Sequence, residues 1–193
     1  MKKKNPFKLL NNEISEIINL LSELNKRSPK NFDILCKKSL SSIKRGNKLI
    51  FFGNGGSASD AQHLAAELVC KYKKTRKAIP AISLATDTSI LTSIGNDIDF
   101  KFIFSRQIEA IGKKGDVAIA ITTSGNSKNL IEGIKLAKKK KILTFCFSGN
   151  NGGKLKKYVD YPILIPSKIT SQIQVAEILV GQIFCEFLEN NYS

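Results

Sequence analysis

Residues 48–68 read Lys48-Leu49-Ile50-Phe51-Phe52-Gly53-Asn54-Gly55-Gly56-Ser57-Ala58-Ser59-Asp60-Ala61-Gln62-His63-Leu64-Ala65-Ala66-Glu67-Leu68. An unbroken apolar run stops at glycines and hydroxyls, which open directly into residues with helical spacing. The order is strand, loop, helix. A strand with no polar alternation is buried on both faces, as strands of a parallel sheet are. The same order recurs outward from this stretch: apolar runs at 78–84, 117–121, 142–147 and 161–165 are each followed by helix-like sequence. Short buried strands alternating with helices predict an α/β domain with a doubly wound, parallel, five-stranded sheet, joined by right-handed crossovers.

Two helices precede the first strand. Leu10, Ile14, Ile17, Ile18, Leu21 and Leu24 form one apolar stripe, and Phe32, Leu35, Cys36, Leu40 and Ile43 form another over residues 31–44, with Gly46 suited to its end. Residues 1–47 are thus a helical extension of a single domain spanning 1–193, and an oligomer interface is expected to cover it. A last helix is predicted over 171–189, from Ile173, Ala176, Val180, Ile183, Phe184 and Phe187. No linker, internal repeat or second core interrupts the chain.

The 193 residues, 42% hydrophobic and 24% charged, suit one globular domain. A net charge of +15 raises nucleic acid as a partner. The basic runs at 71–77, 138–141 and 154–157, however, fall near helix ends, where lysine complements the helix dipole, and few aromatics interleave with them. No nucleic-acid partner is expected; the charge suits attraction of small anions. Met1-Lys2-Lys3-Lys4 is followed by too short an apolar stretch for a signal peptide, and no run is long enough to span a membrane. A cytoplasmic protein is expected. Cys36, Cys70, Cys146 and Cys185 lie far apart, without a CxxC pair, and read as reduced packing residues.

In such a sheet ligands bind beyond the carboxyl ends of the strands. Two loops there are rich in glycine and hydroxyls: Gly53-Asn54-Gly55-Gly56-Ser57-Ala58-Ser59-Asp60 after the first strand, and Thr122-Thr123-Ser124-Gly125-Asn126-Ser127 after the third. Glycine admits an anion to backbone N–H groups, and the helix N-terminus adds positive potential. Neither loop has GxGxxG spacing, and residues 148–155 lack the spacing and final hydroxyl of a P-loop. A phosphorylated sugar fits better than a nucleotide. Four residues separate His63, the sole histidine, from Glu67, so both project from one helical face. They are either an intrahelical pair or two groups meeting one ligand. Both are suitable zinc ligands, but two ligands do not make a site.

The run Gly53–Leu68 resembles the signature of the sugar-isomerase (SIS) domain family, in its phosphoheptose isomerase branch. Ala85-Thr86-Asp87, Ser93-Ile94-Gly95-Asn96-Asp97, Phe104-Ser105-Arg106-Gln107, Thr123-Ser124-Gly125-Asn126-Ser127, Ser148-Gly149 with Gly152-Gly153, and Ile173-Gln174 match further segments in the same order. The resemblance implies a flavodoxin-like sheet, a homotetramer with active sites at subunit interfaces, and isomerisation of sedoheptulose 7-phosphate to D-glycero-D-manno-heptose 7-phosphate for surface-polysaccharide precursors. By matching position it implies sugar-phosphate contacts from Asn54, Gly55, Gly56, Ser57, Asn96, Asp97, Thr122, Thr123, Ser124 and Ser127. It implies a catalytic carboxylate at Glu67, which also touches substrate, and a zinc site from His63, Glu67 and Gln174, the last also touching substrate.

One departure weakens the zinc expectation. The family's last helix has Ile-Gln-Glu-x-His and, five residues on, a second histidine that serves as zinc ligand and proton-transfer partner. Here Ile173-Gln174 leads into Val175-Ala176-Glu177, and the second histidine is Gln182. Glutamine does not exchange a proton near neutral pH. The remaining proton carriers are Glu67 as base, with His63, a metal held by His63 and Glu67, or Glu177 in the vacant role. The same departure supports an alternative, a non-catalytic sugar-phosphate-binding or regulatory partner protein; retention of Glu67 favours the enzyme.

Overall fold

The computed structural model describes residues 5–27 and 30–192. The basic start Met1–Lys4 lies outside them. The elements run α1 (Pro6–Lys26), α2 (Lys30–Lys44), β1 (Leu49–Gly53), α3 (Gly56–Val69), β2 (Ala81–Ser83), α4 (Thr88–Ile94), α5 (Ile103–Ile111), β3 (Val117–Thr122), α6 (Lys128–Lys139), β4 (Leu143–Gly149), β5 (Tyr161–Ile165) and α7 (Thr170–Asn191). All neighbouring strands pair in parallel, in the order β2-β1-β3-β4-β5. The doubly wound five-stranded sheet expected from the alternation is the sheet found.

Strand period divides the core in two. Leu49, Phe51, Ile119, Ile121, Phe145 and Phe147 face α1, α2, α3 and α7, whereas Ile50, Phe52, Ala118, Ala120 and Cys146 face α5 and α6. Every residue of β1 and β3 is buried, the reason neither shows polar alternation. The chain leaves β1 for the β2 side and returns on the other side as β3. The carboxyl ends of β1 and β3 therefore flank the topological switch point, where doubly wound sheets open a crevice.

The α2 helix finds its cover within the chain: Leu35, Cys36 and Ile43 are buried, and Asn31 donates to the Pro162 carbonyl of β5 at 2.6 Å. Of α1, only Leu20 and Leu24 are buried; Phe7, Leu9, Leu10, Ile14 and Ile18 are exposed. Cys36, Cys146 and Cys185 are buried, free thiols, as packing residues should be. Cys70 departs from that expectation: it follows the last residue of α3 and is exposed. Among the described residues, no helix is long and apolar enough to cross a membrane.

Candidate active site

Both glycine-rich loops lie at the switch point. Gly55 adopts φ +56° just before α3, a conformation that disfavours side chains, and no side chain caps the helix that follows. A Cβ on Gly56 would stand 2.2 Å from Nε2 of Gln174, so the first loop is the floor on which that α7 amide rests. In the second loop the Gly125 N–H donates to the Thr122 hydroxyl at 3.2 Å, and Gly149 N–H donates to the Thr123 carbonyl at 3.2 Å. The Ser124 hydroxyl accepts from Asn126 N–H, also at 3.2 Å. Ser127 precedes α6 and makes no side-chain capping bond.

A pair of amides ties the two loops together. Nδ2 of Asn54 donates to Oδ1 of Asn129 at 3.0 Å, and Nδ2 of Asn129 returns the bond at 2.8 Å. Asn129 had no place in the sequence-derived site. Its signal is a polar residue on the buried face of α6, among Leu130, Ile131 and Ile134. Ser57 is buried in the first turn of α3.

Deeper along α3, Glu67 is 9% exposed. Its Oε1 takes two contacts, 3.0 Å from Nε2 of His63 and 3.3 Å from the donating Nε2 of Gln182. Its buried Oε2 has no hydrogen-bond partner. The His63 side chain is half exposed. Burial, reinforced by the nearby Glu67 charge, pushes the Cys185 thiol upward, so it stays protonated beside the acid.

Glu67, His63, Gln174 and the two loops are thus joined by α3 and α7. Asn96 and Asp97 stand apart. They lie on the exposed π-helical turn Gly95–Asp99, where Nδ2 of Asn96 donates to Oδ1 of Asp97 at 2.7 Å, and among the described residues no hydrogen bond links them to either loop.

The zinc implied by the resemblance has a poor donor set here. Structural and catalytic zinc takes three or four nitrogen, sulfur or carboxylate donors. Among the described residues no group of three histidine, cysteine, aspartate or glutamate side chains comes together. Only His63 and Glu67 meet. Gln182 turns an N–H, not an oxygen, toward Glu67, and the Gln174 amide packs against Gly56. These residues do not fit a zinc ion.

Two further acids lie behind the first loop. Burial pushes Asp60 up to about 6, with His63 pulling the other way. Burial and then the Asp60 charge push Glu177 up to about 8. Both oxygens of Glu177, and Oδ2 of Asp60, are buried without hydrogen-bond partners. The sequence signal for Glu177 is a charged residue inside the apolar stripe of Ile173, Ala176 and Val180.

The SIS domain model matches residues 14–149. A phosphoheptose isomerase of Aquifex aeolicus is 54% identical over 147 residues, 76% of this chain and 77% of the relative. That of Clostridium acetobutylicum is 51% identical over 150 residues, covering 78% of this chain and 76% of the relative. Among solved structures, a phosphoheptose isomerase from Neisseria gonorrhoeae superposes with a TM-score of 0.90 at 33% identity, covering 96% of this chain and 100% of its own. One from Francisella tularensis gives 0.93 at 27% identity, covering 97% and 100%.

Proposed function

The chain belongs to the SIS domain family, and from that premise we propose that it is an isomerase interconverting sedoheptulose 7-phosphate and D-glycero-D-manno-heptose 7-phosphate. Support comes from relatives about half identical over three quarters of the chain, each a phosphoheptose isomerase. The observation that carries the chemistry is Glu67: a carboxylate with one oxygen held by two neighbours and the other unpartnered, one helix away from a glycine-rich cup. A regulatory protein that merely holds a sugar phosphate has no need of that acid.

In this reading the phosphate lies in the cup formed by Gly55, Gly56, Ser57, Thr122, Thr123, Ser124 and Ser127, with Asn54 fixing the two halves through Asn129. Gln174 holds a sugar hydroxyl. The Glu67 carboxylate takes a proton from C1 of the ketose, leaving an enediolate with its charge on O2, and returns the proton to C2. The hydroxyl proton on O1 moves to O2, and imidazole at His63, which can both accept and donate, carries it. Asn96 and Asp97 reach the sugar from their own turn. No metal is required for any of these transfers.

The assembly belongs to the same proposal. Phe7, Leu9, Leu10, Ile14 and Ile18 of α1 and Val175, Leu179 and Ile183 of α7 leave more apolar surface than a monomer usually shows. A homotetramer covers them and brings active sites to subunit interfaces. The four free cysteines suit a reducing cytoplasm. The product is a precursor for surface polysaccharide.

The test is Glu67→Gln, which keeps the shape of the side chain and removes its basicity. Turnover of sedoheptulose 7-phosphate, followed by product analysis, should fall by about 10²- to 10⁴-fold, with substrate affinity nearly unchanged. Undiminished turnover would remove Glu67 from the mechanism.

A further inference from the structure

The α3 and α7 helices meet along a seam whose rungs are matched in sequence order. Gly56 lies under Gln174, Leu64 against Gly181, and Glu67 against Gln182; the Cys185 thiol contacts the Leu64 carbonyl at 3.9 Å. Between the first two of these rungs stand Asp60 and Glu177, the only rung on which both partners are acids. On one side of it is the amide that rests on the glycine loop, and on the other the amide that holds the proposed base.

A fully buried carboxyl with neither oxygen in a well-formed hydrogen bond demands a physical account, because an ionised group there has lost its water and gained only the approach of one backbone N–H, from Thr122. Glu177 is 0% exposed. The titratable groups set against it are Asp60 of α3 and Cys146 of β4, whose thiol burial pushes up to about 12. From β3 the Thr122 backbone N–H approaches it, and His63 faces Asp60 from beyond. Among the described residues no basic side chain compensates Glu177, so the rung holds together with that acid uncharged and repels once both acids ionise.

We propose that Glu177 is a positioning residue for Glu67: inserted uncharged opposite Asp60, it keeps the α3–α7 seam closed, and its ionisation opens the seam and withdraws the Gln182 amide from the base. The kinetic consequence rests on the isomerase reading; the seam itself does not. The sign follows from linkage. A carboxyl that binds its proton more tightly when folded lowers stability as pH rises from its ordinary range, near 4.5, to its folded value, about 8, and adds no further slope above that.

The experiment compares wild type, Glu177→Gln and Asp60→Asn, by thermal unfolding and by kcat/KM, from pH 5 to 9.5. The glutamine variant should match wild-type kcat/KM at pH 7 within about twofold. Between pH 7 and 9 the wild type should lose about tenfold as Glu177 ionises, and the variant should not. The melting-temperature gap in favour of the variant should widen from about pH 5 to 8 and then stay constant. Asp60→Asn leaves no second acid to repel an ionised Glu177 and should flatten the alkaline fall. Parallel melting curves, or an alkaline fall unchanged in Glu177→Gln, would overturn the proposal. A wild type without turnover would instead count against the isomerase reading, and the melting curves would still decide the seam.

Discussion

Two glycines separate what a single position does for the site from what it does for the fold. At Gly56 an added methyl meets only the tip of the Gln174 side chain, 2.2 Å away, and a flexible amide can swing aside. Gly56→Ala should therefore change stability by less than about 1 kcal/mol, alanine even favouring the helix, while KM for the sugar phosphate rises several-fold. At Gly125 the same methyl meets the Gly152 carbonyl oxygen at 2.1 Å, and the backbone is at φ +65°. That oxygen has nowhere to go, so Gly125→Ala should cost more than about 2 kcal/mol, read by chemical unfolding. Residue types announced both loops, because glycines and hydroxyls after an apolar run have few other uses. What rests on each glycine was not legible, since Gln174 and Gly152 arrive from distant parts of the chain. The contact of Gln182 with Glu67 is another such case: the sequence marked Gln182 as the loss of a histidine, whereas folding makes it the donor that holds the base.

At the scale of elements, α3 is fixed at both ends by groups from outside it. Its start is set by the glycine loop. At its end the Arg76 guanidinium donates to the carbonyls of Glu67 and Leu68 at 2.8 and 2.6 Å, satisfying groups a helix terminus leaves open. Arg76 is in turn 3.5 Å from Glu189 on α7, and both side chains are nearly buried. Burial pushes Glu189 up, but backbone N–H bonds from Tyr72, Lys73 and Lys74, together with Arg76, outweigh it and hold the carboxyl below its ordinary range. Arg76→Ala should destabilise the protein by about 3 kcal/mol in chemical unfolding, because it takes the cation from a nearly buried carboxylate and frees the Glu67 and Leu68 carbonyls, and should lower activity by releasing the end of the helix that carries Glu67. Sequence reading took residues 71–77 as a basic run near a helix end, where it complements the dipole. For most of the run that holds, but Arg76 turns inward, and nothing in a row of like charges distinguishes the inward member. Strands and long helices were legible from their periods. The second strand is shorter than its apolar run because Pro80, which lacks an N–H, stands before it and the chain turns away at Leu84. The turn carrying Asn96 and Asp97 has no period at all.

Over the whole molecule, the two layers differ in how complete they are. One is covered by α5 and α6, with Ile98 and Phe100 beside them exposed. The other ends in α1 and the outer face of α7, where Phe7 is 74% and Ile18 60% exposed. Sequence periodicity identified the α1 stripe but not its division: Leu20 and Leu24 join the chain's own core, and Ile14 and Ile18 stay exposed. A charge placed on that exposed face, as in Ile14→Glu, should reduce the proposed tetramer to smaller species by light scattering, with little loss of monomer stability. In the proposed reaction Glu67, without a metal, moves the proton between C1 and C2. Turning over sedoheptulose 7-phosphate in D2O with excess chelator and locating deuterium in the heptose product decides whether it does. Deuterium at C2 from the wild type, and neither turnover nor exchange from Glu67→Gln, is the predicted result. Wild-type turnover abolished by the chelator, or equal exchange in the variant, would contradict it.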